Sequence, residues 1–275
     1  MRQVADPAVH HRAVQHPGGQ ELVPRSVVER ALRILGSFDT RHAQQTISAI
    51  SRRTHLPLTT CHRIVAELTD SGALERKVNG EYHVGLRLWE IAAHAPRSVG
   101  LQRVALPFMQ DLSETTHLPV HLSIREQEEA VFVERLVPVG APDERPRIGA
   151  RYPLHVTAVG MAMLAFAPAE VQESVLAKPL QRFTPYTETT PDRLRQLLAQ
   201  VRHEGLAIGD RQINVRYTAV AVPIFAPDGS AHAALSLIVP HEQSDRKPLG
   251  YMLQASAKGI SRGLRNGGHL MPVPG

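Results

Sequence analysis

The residues with the clearest chemical potential are the cations of one stretch in the first quarter of the chain. No aspartate or glutamate lies between Asp39 and Glu67, but four arginines and three histidines do: Arg41, Arg52, Arg53, Arg63, His42, His55 and His62. Guanidinium groups bind phosphate oxygens or guanine edges in fork geometry. An all-cationic stretch is also compatible with a solvated helix face. It therefore indicates a polyanion-binding surface only if the segment has the shape of a nucleic-acid reader.

The elements predicted around these cations have that shape. They are a helix from Ser26 with apolar residues through Phe38, a helix over 48–54 capped by Ser48, a helix over 59–70, and strands over 73–78 and 81–84. Asn79-Gly80 between the two strands is a strong hairpin signal. Three helices followed by a hairpin predict a winged helix–turn–helix domain.

The third helix has two unlike faces. At 100° per residue, Cys61, Ile64, Val65 and Leu68 share one arc, which we expect to be buried. The N-terminal part of a recognition helix enters the DNA major groove, so the predicted base or phosphate contacts are Thr59, Thr60, His62 and Arg63. The second helix and the wing are predicted to add phosphate contacts through Arg52, Arg53, Arg76 and Lys77. Winged helices also serve as protein–protein modules, so a metabolite sensor with a protein-binding winged helix is the alternative.

Length and composition bound the remaining possibilities. The chain has 275 residues, of which 43% are hydrophobic, and this length predicts two domains or one large one. Cys61 is the only cysteine, which excludes a disulfide framework or a Cys-based zinc site. The longest apolar runs, such as 158–167, are too short for a membrane span, and no apolar leader is present, so we expect a cytoplasmic protein without a membrane partner. Motifs of hydrolases, zinc enzymes and nucleotide-binding loops are missing, so we expect no enzyme, cofactor or metal site.

Strand-like and helical patterns alternate in the second half. Strands are predicted over 120–124, 130–136, 219–225 and 231–239, with helices over 101–116, 157–166 and 191–204. This alternation predicts a sheet sandwiched by helices. His155 beside the 157–166 helix is expected to be structural, and Asp228-Gly229 to form a hairpin turn.

Specific sequence runs resemble the IclR family of bacterial transcription regulators. The N-terminal part carries SVVERALRILGSF, LPLTTCHRIVAELTDSGALER and GEYHVGLRLWEIA, and the C-terminal part carries GARYPLHVTAVGMAMLAF and VAVPIFAPDGSAHAALSLIVP, in the family's order. The resemblance implies an α+β protein in which a winged helix–turn–helix domain is joined by a linker helix to a GAF/profilin-like α/β effector-binding domain. The expected boundaries are a disordered tail over 1–25, the winged helix–turn–helix domain over 26–85, the linker helix over 86–97, the effector-binding domain over 98–265 and a C-terminal tail over 266–275. Trp89 in the linker is expected to serve packing.

The resemblance also implies a mechanism and a pocket. A homodimer or homotetramer would bind a near-palindromic operator on double-stranded DNA, and a small-molecule effector would modulate that binding. The implied effector-binding residues are Leu154, Ala158, Val159, Gly209, Asp210, Ala219, Ser236 and Ile238, with Thr157 as the N-cap of a helix. Ala219 and Ile238 stand where the family often has polar residues. We therefore expect a larger or more apolar metabolite, such as an aromatic acid, unless no effector binds at all. His55 stands where the family has glycine, and would need a positive φ.

Overall fold

The computed structural model describes residues 26–39, 42–93, 96–140, 146–242 and 247–266. The chain divides into two compact units, one ending at Ala95 and the other beginning at Pro96. The expected tail at 1–25 lies outside the described residues, as does the expected C-terminal tail over 266–275 apart from its first residue. No helix within the described ranges is both long and apolar enough to cross a bilayer.

The N-terminal unit has the predicted winged helix–turn–helix order. Its elements are α1 (Val27–Leu35), α2 (Ile47–Thr54), α3 (Leu58–Asp70), β1 (Leu74–Arg76), β2 (Tyr82–Val84) and α4 (Leu86–Ala92). A capping box begins α1, in which the Ser26 hydroxyl accepts from the Glu29 amide at 3.0 Å and the Glu29 carboxylate accepts from the Ser26 amide at 3.2 Å.

The residues that begin and end α2 are not those that sequence rules favour. The predicted cap at Ser48 is wrong, because Thr46 has the extended backbone and its hydroxyl accepts from the Ala49 amide at 3.3 Å. At the other end His55 takes the left-handed conformation, with φ of 56°. The positive φ predicted for His55 is therefore confirmed, and His55 is the residue at which α2 ends.

A small apolar core holds these elements together. Ile34 of α1, Ile50 of α2 and Leu74 of β1 are fully buried against Cys61 and Ile64 of α3. The predicted hairpin is confirmed, with Leu74 paired to Val84, but the loop is longer than a two-residue turn. Residues 77–81 form it, and only Gly80 has a positive φ.

The C-terminal unit is a six-stranded sheet with helices on both faces. Its helices are α5 (Pro96–Thr116), α6 (Ala158–Leu164), α7 (Ala169–Leu176), α8 (Pro191–Glu204) and α9 (Lys247–Arg265). Its strands are β3 (Val120–Glu126), β4 (Glu129–Leu136), β5 (Arg151–Pro153), β6 (Ala207–Asp210), β7 (Tyr217–Ile224) and β8 (Ala233–Pro240), in the order β5-β4-β3-β8-β7-β6. Every described strand pair is antiparallel, whereas the resemblance implied a partly antiparallel sheet.

The two faces of the sheet carry side chains of different size. Val220, Val222 and Leu235 point to the face covered by α5 and α9. Ala221 and Ala234, the alternate residues, point to the face that packs against α6. Because these alanines are small, α6 approaches the sheet closely, and its residues from Ala158 to Leu164 are all buried.

The expected linker helix is shorter than predicted. Helix α4 ends at Ala92, residues 94 and 95 lie outside the description, and Pro96 begins α5. Trp89 is 68% exposed, so it is not packed within the N-terminal unit, and the packing role expected for it stays a prediction.

Candidate DNA interface and effector pocket

Helix α3 presents a polar face at its N-terminal half. Thr59, His62 and Arg63 are exposed and Thr60 is half-buried, whereas Cys61, Ile64 and Val65 lie on the buried side. The two faces of α3 are therefore those that the 100° helical periodicity predicts. The Arg63 guanidinium has one described partner, Glu67 one turn later, with 2.7 Å between Nη1 and Oε1. Both side chains are more than half exposed, so the pair can open at little cost.

The adjacent arginines of α2 have different environments. Arg53 is held on three sides, because its Nε donates to the Ser37 carbonyl at 3.1 Å, Nη2 pairs with Asp39 at 3.0 Å, and Nη1 lies 3.3 Å from His42. Arg52 is exposed and makes no hydrogen bond or ion pair to any described residue. Arg52 is free to bind an external anion, whereas Arg53 braces the segment between α1 and α2.

The wing adds two exposed cations. Arg76 ends β1 and its guanidinium lies 5.7 Å from the centre of the Tyr82 ring, which restricts its orientation. Lys77 begins the loop, where its amide donates to the Glu81 carbonyl at 2.8 Å. The unit thus presents cations on α2, on α3 and on the wing.

In the C-terminal unit, most of the implied effector residues lie on the α6 face of the sheet. Gly209, Ala219 and Ile238 form one row across β6, β7 and β8, and Ser236 lies two residues from Ile238 on the same face. A Cβ on Gly209 would stand 3.2 Å from the Ala158 amide nitrogen, so β6 and the first turn of α6 touch here. Ala158, Val159 and the nearby Leu154 are buried.

Asp210 is not brought into this group. Because strand residues alternate, its side chain points to the face opposite Gly209. There its Oδ1 accepts from Thr218 Oγ1 at 2.6 Å and lies 3.0 Å from His241 Nδ1, while Oδ2 pairs with Arg211 at 3.1 Å. Partial burial raises the pKa of Asp210, but the hydrogen bonds from Thr218 and Arg211 outweigh it and leave the pKa below its ordinary value. Asp210 therefore joins β6 to neighbouring segments.

The first turn of α6 is organised as the sequence predicted. The Thr157 hydroxyl accepts from the Gly160 amide at 2.8 Å, so Thr157 is confirmed as the N-cap. The amides of Ala158 and Val159 precede the first possible intrahelical bond and donate to no described residue. His155 Nε2 lies 3.1 Å from the Gln181 carbonyl, which agrees with the structural role expected for it.

Sequence reasoning missed two polar residues on this same face. His121 and Ser123 are almost completely buried, and His121 Nδ1 and Ser123 Oγ have no hydrogen-bond partner. Burial lowers the pKa of His121 to about 3, with a further contribution from the positive charge of Arg135. The alternation of residues 120–124 placed both in a strand, but could not show that their polar atoms lack partners. Within the described residues, no cluster of His, Cys, Asp or Glu could hold a metal ion.

A winged helix–turn–helix unit with exposed cations on α2, α3 and the wing, in one chain with an α/β domain that buries unpartnered polar groups, is the architecture of a ligand-responsive DNA-binding transcription regulator. Two family models match the chain: the IclR helix–turn–helix domain over residues 27–77, and the C-terminal domain of the bacterial transcriptional regulator IclR over residues 93–262. The chain belongs to the IclR family.

Curated relatives and a solved structure agree with this assignment. The regulator XynR of Escherichia coli K12 is 30% identical over 242 residues, which cover 86% of this chain and 96% of XynR. The repressor AllR of the same strain is 28% identical over 256 residues, covering 90% and 94%. An IclR homologue from Microbacterium hydrocarbonoxydans, crystallised with 4-hydroxybenzoate, is 37% identical with a TM-score of 0.82, covering 88% of this chain and all of that one. The chain is thus a DNA-binding regulator with a C-terminal effector domain, and not an enzyme. The protein-binding alternative is not favoured.

Proposed function

We propose that the protein binds a near-palindromic operator as a homodimer or homotetramer, and that an aromatic acid in the C-terminal domain modulates this binding. The observation that carries the proposal is the exposed face of α3, with Thr59, His62 and Arg63 on a helix whose other side is core. Thr60 at the edge of that face completes the set of residues we assign to the major groove.

The phosphate contacts are assigned to cations outside α3. Arg52 has no described partner and Lys77 is exposed at the wing, so both can bind phosphates without breaking internal bonds. Arg76 can do so beside Tyr82. Arg53 already pairs with Asp39, and we assign it a smaller direct part.

Exposed apolar side chains support self-association through the DNA-binding half. Val28 and Leu32 on α1, and Leu86, Trp89 and Ile91 on α4, are each more than half exposed. Apolar side chains of this size gain free energy when a second copy covers them. A symmetric dimer would present two α3 helices to two half-sites. A tetramer would require further contacts between effector domains.

For the effector, the lining supports an acid with an apolar body. Ala219 and Ile238 offer apolar surface, while the unpaired amides of Ala158 and Val159 and the Ser236 hydroxyl offer hydrogen bonds to a carboxylate. The similar Microbacterium protein was crystallised with 4-hydroxybenzoate, an acid of this kind. Effector binding can shift operator affinity only by its different affinities for the two DNA-binding states.

Selection of genomic fragments with the purified protein tests the proposal. Enriched fragments are footprinted over a salt series, with and without 4-hydroxybenzoate, and with acetate as the non-aromatic control. We expect a protected near-palindrome, an affinity that falls steeply with salt, and a change in occupancy with the aromatic acid alone. Binding without sequence preference would contradict the operator proposal. An equal response to both acids, or none, would contradict the proposed effector.

A further inference from the structure

Strand β3 carries two buried polar side chains that no part of the described structure satisfies. His121 is 1% exposed and Ser123 is fully buried. No described residue hydrogen-bonds to either side chain. Because residues i and i+2 of a strand share a face, both point to the same side of the sheet.

That side is the one where the effector residues are gathered. His121 pairs across strands with Ser236 of β8, and Ser123 pairs with Ala234, a residue of the core packed on α6. The ring of Phe132 lies 5.7 Å from the His121 ring, edge to face, and forms an apolar border. The Ser236 hydroxyl also makes no hydrogen bond within the described ranges. Unpartnered polar groups therefore continue from Ser236 along β3.

Such groups are costly to bury, and native proteins rarely leave them without a partner. A structural role would be served better by apolar side chains of the same size. Arg125, the next residue on this face, differs because its terminal nitrogens bond to Gln127 and His232 and so fix it at the strand end. His121 and Ser123 have no such internal partner, which points to a bound molecule as their complement.

The protonation state of the His121 imidazole determines which chemical group can bind to it. Burial keeps the pKa of His121 far below neutral, so the ring is uncharged and offers one N–H donor and one acceptor nitrogen. A serine hydroxyl likewise both donates and accepts. A carboxylate can only accept, whereas a hydroxyl group satisfies both roles in one place.

We propose that His121 and Ser123 are specificity-determining residues that bind a hydroxyl group on the effector, which makes the effector a hydroxylated aromatic acid. This inference rests on the aromatic-acid function proposed above. The hydroxyl donates to the free imidazole nitrogen or accepts from its N–H, and Ser123 completes the pair.

Isothermal titration with 4-hydroxybenzoate and benzoate, which differ only in the hydroxyl, tests the inference on the full-length protein. We expect the wild type to prefer 4-hydroxybenzoate by about 10- to 100-fold, the usual effect of leaving buried polar partners unpaired.

His121→Leu should reduce that preference below about threefold while it retains benzoate binding. Ser123→Ala should reduce it partly and serves as the milder variant if His121→Leu folds poorly. Ser261→Ala is the matched control, because that buried hydroxyl already accepts from the Phe225 amide at 3.1 Å. Operator binding and thermal unfolding report on folding.

The outcomes separate the two proposals. Equal affinity of the wild type for both acids, or an unchanged preference in both β3 variants, would overturn this inference and leave the aromatic-acid effector standing. Failure of both acids to bind the wild type would overturn the proposed effector class and this inference with it.

Discussion

Replacement of Arg63 by alanine is expected to weaken operator binding and to leave folding almost unchanged. The side chain is 53% exposed and its described partner, Glu67, is 57% exposed. An exposed i,i+4 pair contributes about 0.3–0.5 kcal/mol to folding. A bidentate base contact contributes about 1–3 kcal/mol to specific binding, so each half-site should lose roughly 5- to 150-fold in affinity.

The assay is a fluorescence-anisotropy titration of operator DNA over a salt series, with urea unfolding in parallel. Arg193→Ala on α8 is the matched control, since Arg193 is also exposed and donates to Gln196 at 3.0 Å, but lies outside the DNA-binding unit. Arg52→Ala should instead weaken all DNA similarly and lower the salt slope by about 0.9 for each half-site, as expected of a phosphate contact. Glu67→Gln should raise affinity by up to about twofold, because it releases Arg63.

Two results would refute this reasoning. Operator affinity of Arg63→Ala within twofold of the wild type would show that α3 does not read the operator. Equal weakening by Arg63→Ala and Arg193→Ala would show that net charge, and not a contact, sets the affinity.

Two further predictions concern the C-terminal unit. Gly209→Val should lower 4-hydroxybenzoate affinity about tenfold or more in calorimetry, because even its Cβ would stand 3.2 Å from the Ala158 amide nitrogen; unchanged affinity would place the effector elsewhere. His121 has a pKa of about 3 in the fold against 6.5 as the ordinary value, so the unfolded chain binds the proton first and stability falls as pH drops from about 6.5 towards 3. Between pH 7 and pH 5 the wild type should lose about 2 kcal/mol more than His121→Gln in urea unfolding, and parallel pH profiles would contradict the buried neutral imidazole.

Much of the DNA-binding unit could be predicted from the sequence because its signals are local. The period of α3 separates Cys61, Ile64 and Val65 from Thr59 and Arg63 without knowledge of any other element. The wing hairpin and the Thr157 cap follow from residues a few positions apart. The Ser48 cap failed because Thr46 and Ser48 are both cap-forming residues two positions apart, and the extended backbone at Thr46 decided between them. Strands β5 and β6 were missed because three or four residues are too few to show alternation.

The sequence by itself determined the element order of the DNA-binding unit, the two-domain organisation and the class of regulator. Only the tertiary structure decided which of two adjacent residues carries a role. Arg53 is paired with Asp39, whereas the neighbouring Arg52 has no described partner. Gly209 contacts the first turn of α6, whereas the neighbouring Asp210 accepts a hydrogen bond from Thr218 on the other face of the sheet. It also decided that the buried polar atoms of His121 and Ser123 have no partner. The physical reason is that burial and hydrogen-bond satisfaction depend on residues distant in the chain, which local periodicity does not report.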